Sequence, residues 1–193
     1  ESILTTSPIL YFHGGGYVLG SINTHDPWLK FFSAEIGVKI FSLEYRLAPE
    51  NKFPCALEDS NLALEWLVSK LSLPTQQISL CGDSAGAHLA ASLSTYRAAN
   101  NLSLPLSQCL IYPMIDPACS SKSQIDFSEG FFLSQKTMIW FWDQLINSKD
   151  NIDDPVFNLT RSPKVHLPKT LIITAGFDPL SDEGEAYARL LHD

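Results

Sequence analysis

Ser84 stands in Gly82-Asp83-Ser84-Ala85-Gly86, between a short apolar run and a long helical pattern. A serine hydroxyl is a weak nucleophile until its surroundings activate it. A G-x-S-x-G segment that follows a strand and opens a helix meets part of that need. The sharp turn lifts the hydroxyl above the sheet, and the two glycines leave room where a Cβ would block neighbouring chain. The helix N-terminus adds a positive dipole end beside any oxyanion that develops. A second segment, His13-Gly14-Gly15-Gly16, follows the apolar run 8–12. Consecutive glycines let a loop aim several backbone N–H groups at one point, as an oxyanion hole requires. The expected donors are Gly14 and Gly15, joined by the N–H of Ala85. A phosphate cradle fits poorly, because no Gly-Lys-Ser/Thr follows and no acidic residue is placed for a ribose.

Such residues need a rigid frame. Apolar runs at 8–12, 38–43, 78–81, 109–112 and 170–174 alternate with helical patterns near 26–36, 55–71, 85–99 and 182–192. Alternating strand and helix imply βαβ units and a mostly parallel sheet with helices on both faces. The runs lack strict polar alternation, as strands buried on both sides should. One interval breaks the rhythm. More than fifty residues separate Tyr112 from Lys169, too many for a plain crossover. They include Phe127, Phe131, Phe132 and Met138-Ile139-Trp140-Phe141-Trp142, in a helix capped by Ser134. A helix apolar on nearly every side is doubly buried or lines an apolar pocket. The interval is expected to be a helical cap at about 117–168.

Composition narrows the partners. The 193 residues are 45% hydrophobic, enough for one sizeable core, and carry a net charge of -8. With no basic stripe, neither a nucleic acid nor an anionic membrane surface is an expected partner. No stretch reaches the ~18 apolar residues of a membrane span. Cys55, Cys81, Cys109 and Cys119 show no metal-ligand spacing, so no metal site is expected. Two of them sit inside apolar runs, which suits reduced thiols in a cytoplasmic protein. The chain opens without Met and is expected to be incomplete at both ends.

Four segments taken together resemble the hormone-sensitive-lipase-like family of α/β-hydrolase carboxylesterases. They are residues 13–21 (HGGGYVLGS), 45–50 (YRLAPE), 82–86 (GDSAG) and 178–184 (DPLSDEG), in the family's order. One departure is Ala87, where the family often carries a third glycine. The resemblance implies an α/β-hydrolase fold with a helical cap, no cofactor, and hydrolysis of short-to-medium carboxylic esters through an acyl-enzyme. It leaves room for an N- or O-deacetylase on a larger metabolite, or for a ligand-binding protein that has lost catalysis. A homodimer is compatible with it.

In this fold the order along the chain is Ser, acid, His. Asp178 ends the strand 170–174 and matches the family's Asp-Pro-Leu position, so it is the expected acid, holding an imidazole in its working tautomer. Asp182 and Glu183 read better as first-turn residues of the next helix, and Asp116 is a distant fallback. None of the five histidines suits the base. His13 belongs to the glycine loop, and His25, beside Asp26, suggests a local contact. His88 lies a helical turn below Ser84, and His166 precedes the acid. His192 has the right order but stands at the far end of a helix ~15 Å long. The base is expected roughly 30 residues beyond the acid, past Asp193. The 193 residues alone are therefore expected to be inactive and poorly soluble.

Overall fold

The computed structural model describes residues 7–147, 152–161 and 166–192. Five parallel strands form one sheet in the order β2-β1-β3-β4-β5. They are β1 (Ile9–Phe12), β2 (Ile40–Leu43), β3 (Ser79–Asp83), β4 (Ser107–Ile111) and β5 (Lys169–Ile173). The pairing sets Tyr11 beside Cys81, Cys81 beside Cys109, and Cys109 beside Leu171. Because successive side chains point to opposite faces, the sheet sorts its residues into two layers. Leu10, Phe12, Leu80 and Leu110 face the larger core, while Tyr11 and Cys81 face a smaller cluster with Leu29.

The described residues hold six α-helices: α1 (Ile22–Ile36), α2 (Cys55–Leu71), α3 (Ala85–Ala99), α4 (Lys122–Asp126), α5 (Gln135–Leu145) and α6 (Ser181–His192). Helix α1 supplies Leu29 to the smaller cluster; α2, α3, α5 and α6 contribute to the larger one. Helix α3 lies directly on β1, β3 and β4. Its run of alanines and serines lets its backbone come close to the strands, and it is buried from Ala85 to Thr95.

The structure moves two expectations. Helix α1 begins at Ile22 rather than near residue 26. Ser21 accepts from the Thr24 N–H, and Thr24 Oγ1 accepts in return from the Ser21 N–H, a closed capping box. That cap satisfies orphan donors upstream of Pro27, leaving the proline inside the helix. Helix α5 is less thoroughly buried than its composition suggests. Met138, Phe141, Trp142 and Leu145 form one buried stripe, whereas Ile139 and Trp140 on the other side are 44% and 46% exposed. The buried stripe joins the main core. At the opposite edge β5 pairs with β4, and no described strand pairs with its other side. Leu171 and Ile173 are 58% and 45% exposed there.

Candidate active site

Strand β3 ends at Asp83 and helix α3 begins at Ala85, so Ser84 alone makes the turn. Its φ of 53° lies where non-glycine residues rarely settle. Surrounding hydrogen bonds over-determine that conformation. The Ser84 N–H donates to Ile111 O at 2.9 Å, and its carbonyl accepts from Met114 N at 3.2 Å and His88 N at 3.1 Å. Both flanking glycines are sterically required. A Cβ on Gly82 would lie 2.4 Å from the Gly86 carbonyl, and one on Gly86 would lie 2.0 Å from Phe12 O. The second contact also places the 13–16 loop, which leaves β1 directly over the start of α3. Ser84 Oγ has no hydrogen-bond partner among the described residues.

The loop corrects one of the expected donors. The Gly14 N–H donates to Asp83 Oδ1 at 2.8 Å, and a donor committed to a buried carboxylate is not free for an oxyanion. Gly15 and Gly16 adopt positive φ values of 115° and 60°. Their N–H groups carry no hydrogen bond among the described residues, and neither does that of Ala85, the first residue of α3. First-turn N–H groups have no acceptor within their own helix. Phe141 of α5 closes over this loop, since a Cβ on Gly16 would fall 2.2 Å from its ring.

Asp178 lies just beyond β5, at the same C-terminal edge of the sheet as Ser84. One strand, β4, separates the strands that lead to the two residues. Two strand spacings amount to ~10 Å, a gap in which an imidazole can bridge hydroxyl and carboxylate. Burial pushes the Asp178 carboxyl up, while the Leu180 N–H, 2.9 Å from Oδ1, acts in the opposite direction. Oδ2 carries no hydrogen bond among the described residues. The neighbouring acids are engaged elsewhere. Asp182 Oδ2 accepts from Ser123 N at 2.8 Å, and Glu183 is buried beneath α4.

The histidines have other roles. His88 is fully buried, with Nε2 2.8 Å from Phe157 O and Nδ1 2.6 Å from the Tyr17 hydroxyl. Burial lowers its pKa to about 4, so the ring is neutral; Nε2–H donates to the carbonyl and Tyr17 donates to Nδ1. His13 is stacked on Tyr45 at 4.3 Å, and burial lowers its pKa too. His25 does not pair with Asp26, its neighbour in sequence. Its Nε2 stands 3.3 Å from Asp83 Oδ1 across the loop. His166 and His192 are exposed. Among the described residues none hydrogen-bonds to Ser84 Oγ.

Sequence reasoning missed the node at Asp83. Its Oδ1 accepts from the Tyr11 hydroxyl as well as from Gly14 N, with His25 alongside. Burial, followed by the Asp83 charge, pushes the Tyr11 phenol far above its usual value, so it stays a donor. The only signal in the sequence was a polar residue at the end of a buried strand run.

A doubly covered parallel sheet, a strained serine between strand and helix, and a glycine loop over that serine define the α/β-hydrolase class. Residues 9–193 match a family described as the alpha/beta hydrolase fold, and the chain belongs to its hormone-sensitive-lipase-like family. It is 37% identical to the ethyl acetate hydrolase of Pseudomonas putida, over 99% of this chain and 62% of that protein. It is 34% identical to the carboxylic ester hydrolase LipN of Mycobacterium tuberculosis, over 96% of this chain and 52% of that protein. Its fold superposes on a hyperthermophilic esterase from the archaeon Pyrobaculum calidifontis with a TM-score of 0.90 and 37% identity. That likeness covers 97% of this chain and 64% of the other. The chain thus spans between half and two thirds of the length of these relatives.

Proposed function

We propose that the protein containing this chain is a serine carboxylesterase acting on small carboxylic esters. The observation that carries the reading is Ser84, held at positive φ beneath a glycine loop with unengaged N–H groups. Ser84 Oγ attacks the ester carbonyl as its proton passes to a histidine; the histidine then gives that proton to the departing alkoxide, so the alcohol leaves and an acyl-enzyme remains. Water then attacks the acyl-enzyme with the same base assisting, which releases the acid and restores Ser84. The N–H groups of Gly15, Gly16 and Ala85 receive the oxyanion in both steps. Asp178 holds the base in its working tautomer and stabilises the imidazolium. The base itself comes from residues outside this chain, because each described histidine is engaged or lies elsewhere.

Residues of the 117–168 interval serve as a cap in this reading, supported by the contact of Phe141 with the glycine loop. Four free cysteines suit a reducing, cytoplasmic setting, and no described helix is long and apolar enough to cross a membrane.

The experiment is a panel of p-nitrophenyl esters with the full-length protein. Turnover that disappears in Ser84→Ala and persists in EDTA is the expected result. Loss of a triad member leaves only ~10³–10⁴-fold catalysis over water. An active Ser84→Ala, or a wild type that binds ester without turning it over, overturns the proposal.

A further inference from the structure

Asp83 lies between the two halves of the site, in contact with both. It precedes the nucleophile by one residue, so its backbone belongs to the strained elbow. Its carboxylate reaches the opposite way, into the glycine loop, where it takes the Gly14 N–H at 2.8 Å. The contact is close along its whole length. A Cβ on Gly14 would lie 2.3 Å from Asp83 Oδ2 and 3.0 Å from Asp83 O. Other ties hold the loop at its ends. Tyr45 Oη donates to His13 O at 2.6 Å, and the Ala48 N–H donates to Tyr17 O at 2.9 Å. Between those ends two side chains meet Gly14 among the described residues: the Asp83 carboxylate takes its N–H, and His13 Nδ1 stands 2.7 Å from its carbonyl oxygen, so Asp83 is the one that ties the loop to the elbow.

A carboxylate beside an oxyanion hole is electrostatically unfavourable, since like charges so close repel. Here it is surrounded by partners that spread its charge. The Tyr11 hydroxyl donates to Oδ1, and His25 Nε2 stands 3.3 Å from Oδ1 and 3.4 Å from Oδ2. Only 8% of the residue is exposed, so these contacts are not diluted by water. A buried, shared carboxylate fixes two backbones more rigidly than a neutral contact would.

We propose that Asp83 is a positioning residue that locks the oxyanion loop to the nucleophile elbow, through its hydrogen bond to Gly14. The Tyr11 hydroxyl and His25 hold the carboxylate in the rotamer that reaches the loop. By occupying the Gly14 N–H, Asp83 orients the next peptides so that the N–H groups of Gly15 and Gly16 point at the reacting carbonyl. The inference rests on the esterase reading above and adds to it the residue that sets the geometry of the hole.

The test compares Asp83→Asn, Asp83→Ala and Asp83→Ser in the full-length protein, with rates expressed per site titrated by a fluorophosphonate. Titration removes the contribution of unfolded molecules. Misplacing donors by about 1 Å costs on the order of 10²-fold, so Asp83→Ala should lose kcat by that factor with KM little changed. Asp83→Asn keeps an acceptor for Gly14 and should recover most of the loss. Should Asp83→Ala not fold, Asp83→Ser tests the same point, since its short hydroxyl cannot reach the loop.

A second readout isolates the hole. A trifluoromethyl ketone places a hemiketal oxyanion there, so its inhibition constant should rise by the same factor as kcat/KM falls. A titrated kcat within twofold of wild type in Asp83→Ala or Asp83→Ser overturns the proposal. So does a loss of kcat that the ketone does not mirror. A wild type with no ester turnover instead overturns the esterase reading, and this inference with it.

Discussion

Replacing Glu183 by glutamine should flatten the pH dependence of stability. Glu183 is 4% exposed at the start of α6. Oε1 accepts from Ile115 N at 2.7 Å and Asp116 N at 3.3 Å, and Oε2 accepts from Gln124 Nε2 at 3.2 Å. Burial nevertheless dominates and pushes the carboxyl up to about 8, against 4.5 for a free side chain, while its hydrogen-bond donors pull the other way. The structure holds a matching sign: Gln124 Oε1 is buried without a partner. After a flip of the Gln124 amide, a protonated Glu183 can donate to that oxygen.

Between pH 4.5 and about 8 the native state keeps a proton that the unfolded state releases. Stability from this group is therefore fully present below the lower value, declines as pH rises, and levels off above the upper one. Each pH unit in the window costs ~1.4 kcal/mol, so about 3 kcal/mol is gone by pH 7, with a ceiling of ~5 kcal/mol. In Glu183→Gln the two backbone donors keep an acceptor and the new amide can serve the flipped Gln124, yet nothing titrates. Urea unfolding of both full-length proteins from pH 5 to 8.5 isolates the term, because other titrating groups cancel in the difference. The variant should gain on wild type by roughly 3–4 kcal/mol from pH 5 to pH 8. A difference that stays within ~0.5 kcal/mol across that range refutes the reasoning.

Three further outcomes follow from the same contacts. Gly86→Ala drives a Cβ to 2.0 Å from Phe12 O, and because backbone must move, the variant should lose ~1–3 kcal/mol or more in urea unfolding together with its esterase activity; a wild-type midpoint and rate would contradict the packing of the elbow. Trp142→Ala removes a ring 1% exposed between His88 and Phe157, which should cost ~3–5 kcal/mol and lower Tm in differential scanning calorimetry, whereas an unchanged Tm would mean that α5 is not part of the core. The full-length protein should turn over C4 p-nitrophenyl esters faster than C16 esters, with a broad optimum because each methylene shifts discrimination by only ~1–3 kcal/mol; faster C16 turnover would show that Phe141 and its neighbours do not bound the acyl pocket.

Local chemistry made much of this protein readable from its residues alone. Glycine spacing marks an elbow because backbone sterics act within a few residues, and Ser84 sits between Gly82 and Gly86 as that spacing requires. The strands could be placed because each is a short run of mostly apolar residues between helical patterns, and the five runs coincide with β1 to β5 within two residues. The start of α1 lies about four residues before the expected one, because a reciprocal hydrogen bond between Ser21 and Thr24 is a quiet signal in a sequence.

Tertiary structure alone decided which groups meet across the chain. Gly14 looked like a free donor until the fold brought it to a carboxylate 69 residues away. His25 ignored the adjacent Asp26 for Asp83, 58 residues on. Glu183 looked like an ordinary first-turn acid and turned out to be a buried clamp, with donors 59 to 68 residues away. The reason is physical. A side chain's role depends on which partners and how much water surround it, and packing sets both only once distant segments are in place.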